Sequence, residues 1–139
     1  MSLDRDLLTR SFDLVLERAP NLTERFYEIL FERYPSLRPL FGGRVKPAQA
    51  RMLREALAAV LAHLDDGAWL TETLGAMGAR HVGYGVTDAM YAQVGDALIA
   101  AMAEAAGEDW SPEIEAAWIA AYGAVASLMQ DGARRAVAA

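Results

Sequence analysis

The chain has 139 residues, among them 13 lysines and arginines, 19 aspartates and glutamates, two histidines and no cysteine, so its net charge is −6 at neutral pH. This charge, and the lack of a cationic cluster with interleaved aromatic residues, argue against nucleic acid as a partner. The absence of cysteine excludes disulfides, cysteine-ligated zinc, iron–sulfur clusters and thioether-linked tetrapyrroles.

The length and hydropathy of the chain limit its possible domain organisation and cellular location. The length predicts a single domain over residues 1–139. Charged residues interrupt every long apolar run, so we expect no membrane span. The N-terminus lacks the basic and apolar regions of a signal peptide, which favours a cytoplasmic protein.

Apolar residues recur at helical spacing along almost the whole chain, and no segment alternates convincingly with period two. We predict a first helix from about Asp4 to Arg18. A second helix opens at Pro20 and Asn21 and ends at Pro35, because proline cannot donate the helical hydrogen bond. The prolines and glycines that follow mark a short helical turn and a loop: Pro35, Pro39, Gly42 and Gly43.

The second half of the chain predicts four further helices. Pro47 is suited to the first turn of a long helix, which Asp65-Asp66-Gly67 stops. The next helix carries His81 and is broken by the glycines that follow, Gly83 and Gly85.

Capping residues mark the last helices. Thr87 is a plausible N-cap for one, and Ser111-Pro112 opens the last by placing a cap before a first-turn proline. We therefore predict an all-α domain of seven or eight helices, with an alanine-rich tail at about 131–139 that frays.

His81 is the most informative residue. With two histidines and no cysteine, a soft or borderline metal has almost no other strong protein ligand in this chain. A lone histidine near a helix end is nevertheless more often a cap or a satisfied core residue. The other histidine, His63, lies fourteen residues after Gln49, about 21 Å along a helix, so we predict a surface or helix-end position for it.

The chain resembles a bacterial single-domain globin of the haemoglobin type, related to the globin part of flavohaemoglobins. The matching stretches cover nearly the whole chain: Phe26-Tyr27 through Leu30-Phe31, Tyr34-Pro35 through Phe41, Gln49 through Leu53, Arg80-His81 through Tyr91, and Trp118 through Tyr122-Gly123. The intervals also match, with fourteen residues from Tyr27 to Phe41 and twenty-eight from Leu53 to His81. The resemblance implies a globin fold, a three-over-three helical sandwich around haem b.

The resemblance also implies roles for individual residues. His81 would bind the haem iron through Nε2 while Nδ1–H donates to a backbone carbonyl near Met77. Phe41 would wedge against the porphyrin, and Tyr27, Gln49 and Leu53 would form the distal ligand pocket. Arg80 could pair with a haem propionate, and the remaining haem contacts would be Met77, Tyr84, Val86, Tyr91 and Val94. Taken singly, most of these side chains have a commoner role in a core or on a surface.

Three functions follow from the resemblance. The favoured one is reversible binding of O2, with CO and NO as further ligands, at a five-coordinate ferrous haem, with slow O2 release. One alternative is an enzyme that uses an external reductase, either a nitric oxide dioxygenase or a protein with haem peroxidase-like activity. The other is a haem-based gas sensor that acts through a separate partner. A haem-free relative with a covalent bilin is disfavoured, because cysteine is absent and His81 is present. A homodimer through the last two long helices stays open.

One departure weakens the dioxygenase interpretation. In flavohaemoglobin-type globins a tyrosine and a glutamate lie beside the proximal histidine, and Tyr91 matches the tyrosine. The resemblance places the glutamate at Ala133, and Asp131 is two residues away, about 200° around a helix. The proximal dyad is therefore expected to be broken.

Overall fold

The architecture is helical throughout the part of the chain that the computed structural model describes, residues 3–42 and 46–138. Within these ranges there are six α-helices, two 3₁₀ helices and no strand, which confirms the all-α prediction. The elements are α1 (Arg5–Arg18), α2 (Leu22–Arg33), a 3₁₀ helix (Pro35–Phe41), α3 (Pro47–Ala62), α4 (Gly67–Gly83), α5 (Asp88–Ala106), a 3₁₀ helix (Gly107–Asp109) and α6 (Pro112–Ala138). Gly43, predicted to lie in a loop, is outside the described residues.

Side-chain caps explain where several helices begin. The Asp4 carboxylate accepts a hydrogen bond from the backbone N–H of Leu7 at 3.1 Å, and Asp66 accepts one from Trp69 at 3.0 Å. Ser111 does the same at the start of α6. These bonds satisfy backbone donors that have no partner inside the helix. Pro47 and Pro112 begin α3 and α6, as predicted, because a first-turn residue needs no N–H donor.

The helix at the end of the chain extends into the alanine-rich tail. In the structure α6 continues to Ala138, and fraying from about residue 131 onward stays a prediction. Gly132 is buried, and its Cα lies 3.9 Å from where a Cβ on Gly75 would be. Contact with α4 therefore holds the beginning of the tail in the helix, a tertiary effect that composition does not reveal.

The core is divided into two clusters of buried side chains. The larger joins α1, α2, α5 and the start of α6, and includes Leu8, Phe26, Leu30, Met102 and Trp118. The smaller joins α4, α5 and α6: Leu74, Tyr91, Ala126 and Met129. α2 packs on α5, α3 packs on α2, and α4 packs on α6. Helices α3 and α4 therefore have different main packing partners.

A buried hydrogen bond links α1 to α6 in the larger cluster. The indole Nε1 of Trp118 donates to Ser11 Oγ at 2.8 Å, and that hydroxyl donates to the Leu7 carbonyl at 2.7 Å. Ser11→Ala would leave the buried indole N–H without a partner, so we expect a loss of about 1–3 kcal/mol in the free energy of unfolding.

Denaturant unfolding measures this loss. The matched control is Ser127→Ala, at an exposed position of α6, where a change within about 0.5 kcal/mol is expected. Equal effects of the two substitutions would show that the Trp118–Ser11 bond contributes nothing.

Candidate functional site

His81 lies near the end of α4, with its imidazole half-buried. Its Nδ1 is 2.7 Å from the carbonyl oxygen of Met77, one helical turn earlier. A carbonyl can only accept, so Nδ1 carries a proton and donates. This bond selects the tautomer in which Nε2, and not Nδ1, is the nitrogen that can bind a metal.

Tyr27 and Gln49 are brought together from different helices. Tyr27 on α2 is 6% exposed, and the Nε2 amide of Gln49 on α3 donates to its hydroxyl at 3.1 Å. Because the amide is the donor, the phenol keeps its own proton for another acceptor. Burial raises the pKa of Tyr27, and the Gln49 hydrogen bond acts in the opposite direction. Tyr27 is therefore a protonated donor at neutral pH.

Phe41 packs in an aromatic cluster with Tyr27. Its ring centroid lies 5.3 Å from that of Tyr27 and 5.5 Å from that of Phe31, both edge-to-face. Gly42 follows with φ 68°, a left-handed conformation that ends the 3₁₀ helix and that glycine adopts without strain. The Phe41 ring itself is half-buried, so one side of it remains available for contact.

The predicted site residues fall into two sets. Tyr27 belongs to the larger cluster, and Phe41, Leu53 and Val94 pack against it while half-buried. Tyr91 belongs to the smaller cluster, with Met77 and Val86 packed against it. Two further predicted haem contacts are exposed in the structure: Arg80, and Tyr84 at 61%. The Tyr84 ring is 5.6 Å from that of His81, centroid to centroid.

These two sets fit a haem group. The half-buried apolar side chains Phe41, Leu53 and Val94 on one cluster, and Met77 and Val86 on the other, offer flat apolar contact to a macrocycle. The donor set is one histidine. Within the described residues no group of three or more His, Cys, Asp or Glu side chains could hold a metal. An iron held by a porphyrin would need only one ligand from the protein, so this donor set fits a haem.

The residue at the position where the resemblance places a carboxylate beside the proximal histidine is Ala133. Ala133 is half-buried in α6, and Asp131 forms an ion pair with Arg134. The Tyr91 pKa is raised by burial and by the charge of Asp88. The Tyr91 carbonyl accepts a hydrogen bond from the Tyr122 hydroxyl at 2.5 Å.

Contacts between α4 and α6 were missed by the sequence reasoning. A Cβ on Gly78 would lie 1.8 Å from the Met129 carbonyl oxygen, and one on Gly132 would lie 2.1 Å from that of Gly75. Glycines inside helices were the available signal, because such residues often mark close backbone approach. They set how near the helix that carries His81 lies to α6.

His63 occupies the predicted helix-end position. It is the C-cap residue of α3, its Nδ1 lies 2.7 Å from the Ala59 carbonyl oxygen, and its ring stacks on Trp69 at 3.7 Å. No helix within residues 3–42 and 46–138 is long and apolar enough to cross a membrane.

The comparisons with known proteins agree with this geometry. The globin family model matches residues 24–129. The flavohemoprotein of Bordetella pertussis is 35% identical over 127 residues, which are 90% of this chain and 32% of that protein. The chain thus spans about a third of the length of the curated relative.

Two solved structures share the fold. A candidate nitric oxide dioxygenase from Rhodothermus marinus, engineered as a carbene transferase, has a TM-score of 0.81 and 27% identity, with 96% of this chain and 93% of that chain covered. A bacterial globin from Campylobacter jejuni has a TM-score of 0.82 and 21% identity, with 97% of each chain covered. The expected globin fold is confirmed, and the chain belongs to the globin family.

Proposed function

We propose that the protein binds haem b and reversibly holds O2, and also CO and NO, with His81 as the single protein ligand of the iron. The observation that carries the proposal is the hydrogen bond from Gln49 to Tyr27, in a fold that also presents His81 with its Nδ1 bonded to the Met77 carbonyl. The flavohemoprotein relatives, by their name haem proteins, support the same cofactor. The lack of cysteine favours the b type, which needs no thioether link.

Each residue has a defined task. When bound, haem supplies a ferrous iron with one position open to a diatomic gas. The Met77 carbonyl keeps the Nε2 lone pair of His81 available for the iron. Tyr27 would donate a hydrogen bond to a diatomic ligand that carries partial negative charge, and Gln49 holds the phenol in place. Leu53 and Phe41 line the pocket and exclude water.

The experiment is the O2 dissociation rate of Tyr27→Phe. A neutral hydrogen bond contributes about 0.5–1.5 kcal/mol, so the substitution should speed O2 release by about two- to tenfold, and more if the pocket is dry. CO carries less negative charge and should respond less. The rates are measured by stopped-flow displacement of O2 with CO.

The control is Tyr34→Phe, which removes a hydroxyl bonded to Asp96 at 3.0 Å outside the site. Its O2 dissociation rate should match that of the unmodified protein. Slow release that persists in Tyr27→Phe would contradict the donor role of Tyr27.

Nitric oxide dioxygenase activity with a separate reductase is the second candidate. It is favoured by the flavohemoprotein relatives and by the Rhodothermus marinus structure. Ala133, which stands where the resemblance places a glutamate, argues against it. Sustained conversion of NO and O2 to nitrate over many turnovers with a flavin reductase would favour this enzyme, whereas a single turnover is expected of an O2-binding globin.

A further inference from the structure

Positive charge is concentrated in one segment of this acidic protein. Residues 34–54 contain five cations and no carboxylate: Arg38, Arg44, Lys46, Arg51 and Arg54. The rest of the chain holds the other eight cations against all 19 carboxylates. The part of this segment that the structure describes forms the 3₁₀ helix Pro35–Phe41 and the first half of α3.

The charges of α3 are not neutralised by neighbouring carboxylates. Many arginines elsewhere are paired, for example Arg25 with Glu104 at 2.8 Å and Arg33 with Asp96 at 2.9 Å. Among the described residues, by contrast, no ion pair involves Lys46, Arg51 or Arg54.

Glu55, the next carboxylate along the chain, is exposed and has no ion pair within the described ranges either. A single carboxylate beside three cations leaves the outer side of α3 net positive.

Two exposed apolar side chains lie in the same segment. Leu40 is 37% exposed and Met52 is 60% exposed. Five residues of this segment are exposed, and we call them the cationic face: Leu40, Lys46, Arg51, Met52 and Arg54. Charges around a small apolar contact are typical of surfaces that form short-lived protein complexes.

The cationic face adjoins the candidate haem site. α3 carries both Arg51 and the pocket residues Gln49 and Leu53. A Leu40 methyl lies 3.7 Å from where a Cβ on Gly85 would be, which places the 3₁₀ helix against the corner that follows His81. A protein docked on this face would therefore lie near the edge of the site.

We infer that the cationic face is the docking surface of an acidic electron-donor protein, a one-electron flavoprotein of the flavodoxin kind. The inference rests on the proposed function, because only ferrous iron holds O2 and ferric iron must be reduced before it can act. The donor loses one electron and the iron gains it, passing from ferric to ferrous, and no bond is made or broken. An acidic donor protein carries the charge opposite to that of the cationic face, which attracts it. A long nucleic acid would also be repelled by the carboxylates on the rest of the protein.

The test uses the haem-loaded protein and an acidic flavodoxin. Binding of oxidised flavodoxin to the ferric protein is measured by titration calorimetry, and reduction by photoreduced flavodoxin is measured by stopped flow. At low salt, Arg51→Glu and Arg54→Glu should each lower the affinity and the rate by about three- to tenfold. The rate of the unmodified protein should fall about tenfold or more as salt rises to about 0.5 M, because salt screens exposed charges.

The matched control is Arg10→Glu, which makes the same charge change at an exposed position of α1 without an ion pair among the described residues. Its affinity should change less than about twofold, since a distant charge contributes little at ordinary ionic strength. Photoreduced riboflavin, a small neutral donor, should reduce all variants at one rate, which shows that the haem site is intact.

Three results would overturn the inference. The first is equal flavodoxin binding by the face variants and Arg10→Glu. The second is no measurable binding by the unmodified protein. The third is charge-dependent binding to phosphatidylglycerol vesicles without binding to flavodoxin, because the face would then contact a membrane. The absorption spectrum with O2, recorded on every sample, distinguishes these results from a failure of the proposed function itself.

Discussion

Replacing Gly78 by alanine is expected to destabilise the protein by at least about 3 kcal/mol, at or above the upper end of typical overpacking costs. The new Cβ would lie 1.8 Å from the carbonyl oxygen of Met129, 2.6 Å from its carbonyl carbon and 2.8 Å from its Cα. All three atoms are backbone, so no side-chain rotation relieves the clash. α4 and α6 must separate, and the buried contacts between them are lost.

The comparison with Gly123→Ala isolates this effect. Gly123 lies inside α6, and a Cβ there meets no atom within 4 Å. Alanine is the better helix former by about 0.8–1 kcal/mol, so this control should stabilise the protein. Thermal and denaturant unfolding followed by circular dichroism measure both variants. A Gly78→Ala protein as stable as Gly123→Ala would show that α4 and α6 do not approach as closely as described.

Replacing His81 by alanine is expected to abolish axial ligation of the haem iron by the protein. Losing only an outer hydrogen-bond partner of a metal ligand costs about 10–100-fold in affinity, so losing the ligand itself should cost more. His63 cannot substitute, because its ring is stacked on Trp69 at the far end of α3. The variant should therefore lack the absorption bands of a histidine-ligated ferrous haem.

Two further samples complete the His81 experiment. Added imidazole should enter the space left by the side chain and restore the histidine-like spectrum. His63→Ala should keep the spectrum of the unmodified protein. If His81→Ala retained that spectrum and His63→Ala lost it, the assignment of the iron ligand would be wrong.

Much of the helix order follows from local chemistry. Pro47 and Ser111-Pro112 mark helix starts because a first-turn proline needs no donor and a serine supplies an acceptor. The position of His81 relative to Met77 is equally local, since both residues lie on one helix and are separated by one turn. These features depend on neighbours in the sequence and could be predicted without tertiary information.

Other features depend on how helices meet. The Gln49–Tyr27 hydrogen bond joins residues 22 positions apart, so only the crossing of α2 and α3 produces it. The approach of Gly132 to Gly75 likewise depends on how α4 and α6 pack. Such outcomes follow from packing between segments and have no single local cause.

The absorption spectrum of the haem-loaded ferrous protein, recorded alone, with CO and with O2, is the direct test of gas binding by this protein. We expect a five-coordinate ferrous spectrum that converts to stable CO and O2 forms. A six-coordinate ferrous spectrum that resists CO would show that an internal side chain occupies the distal position and would contradict gas binding. Failure to take up haem would contradict the proposed cofactor while leaving the globin fold in place.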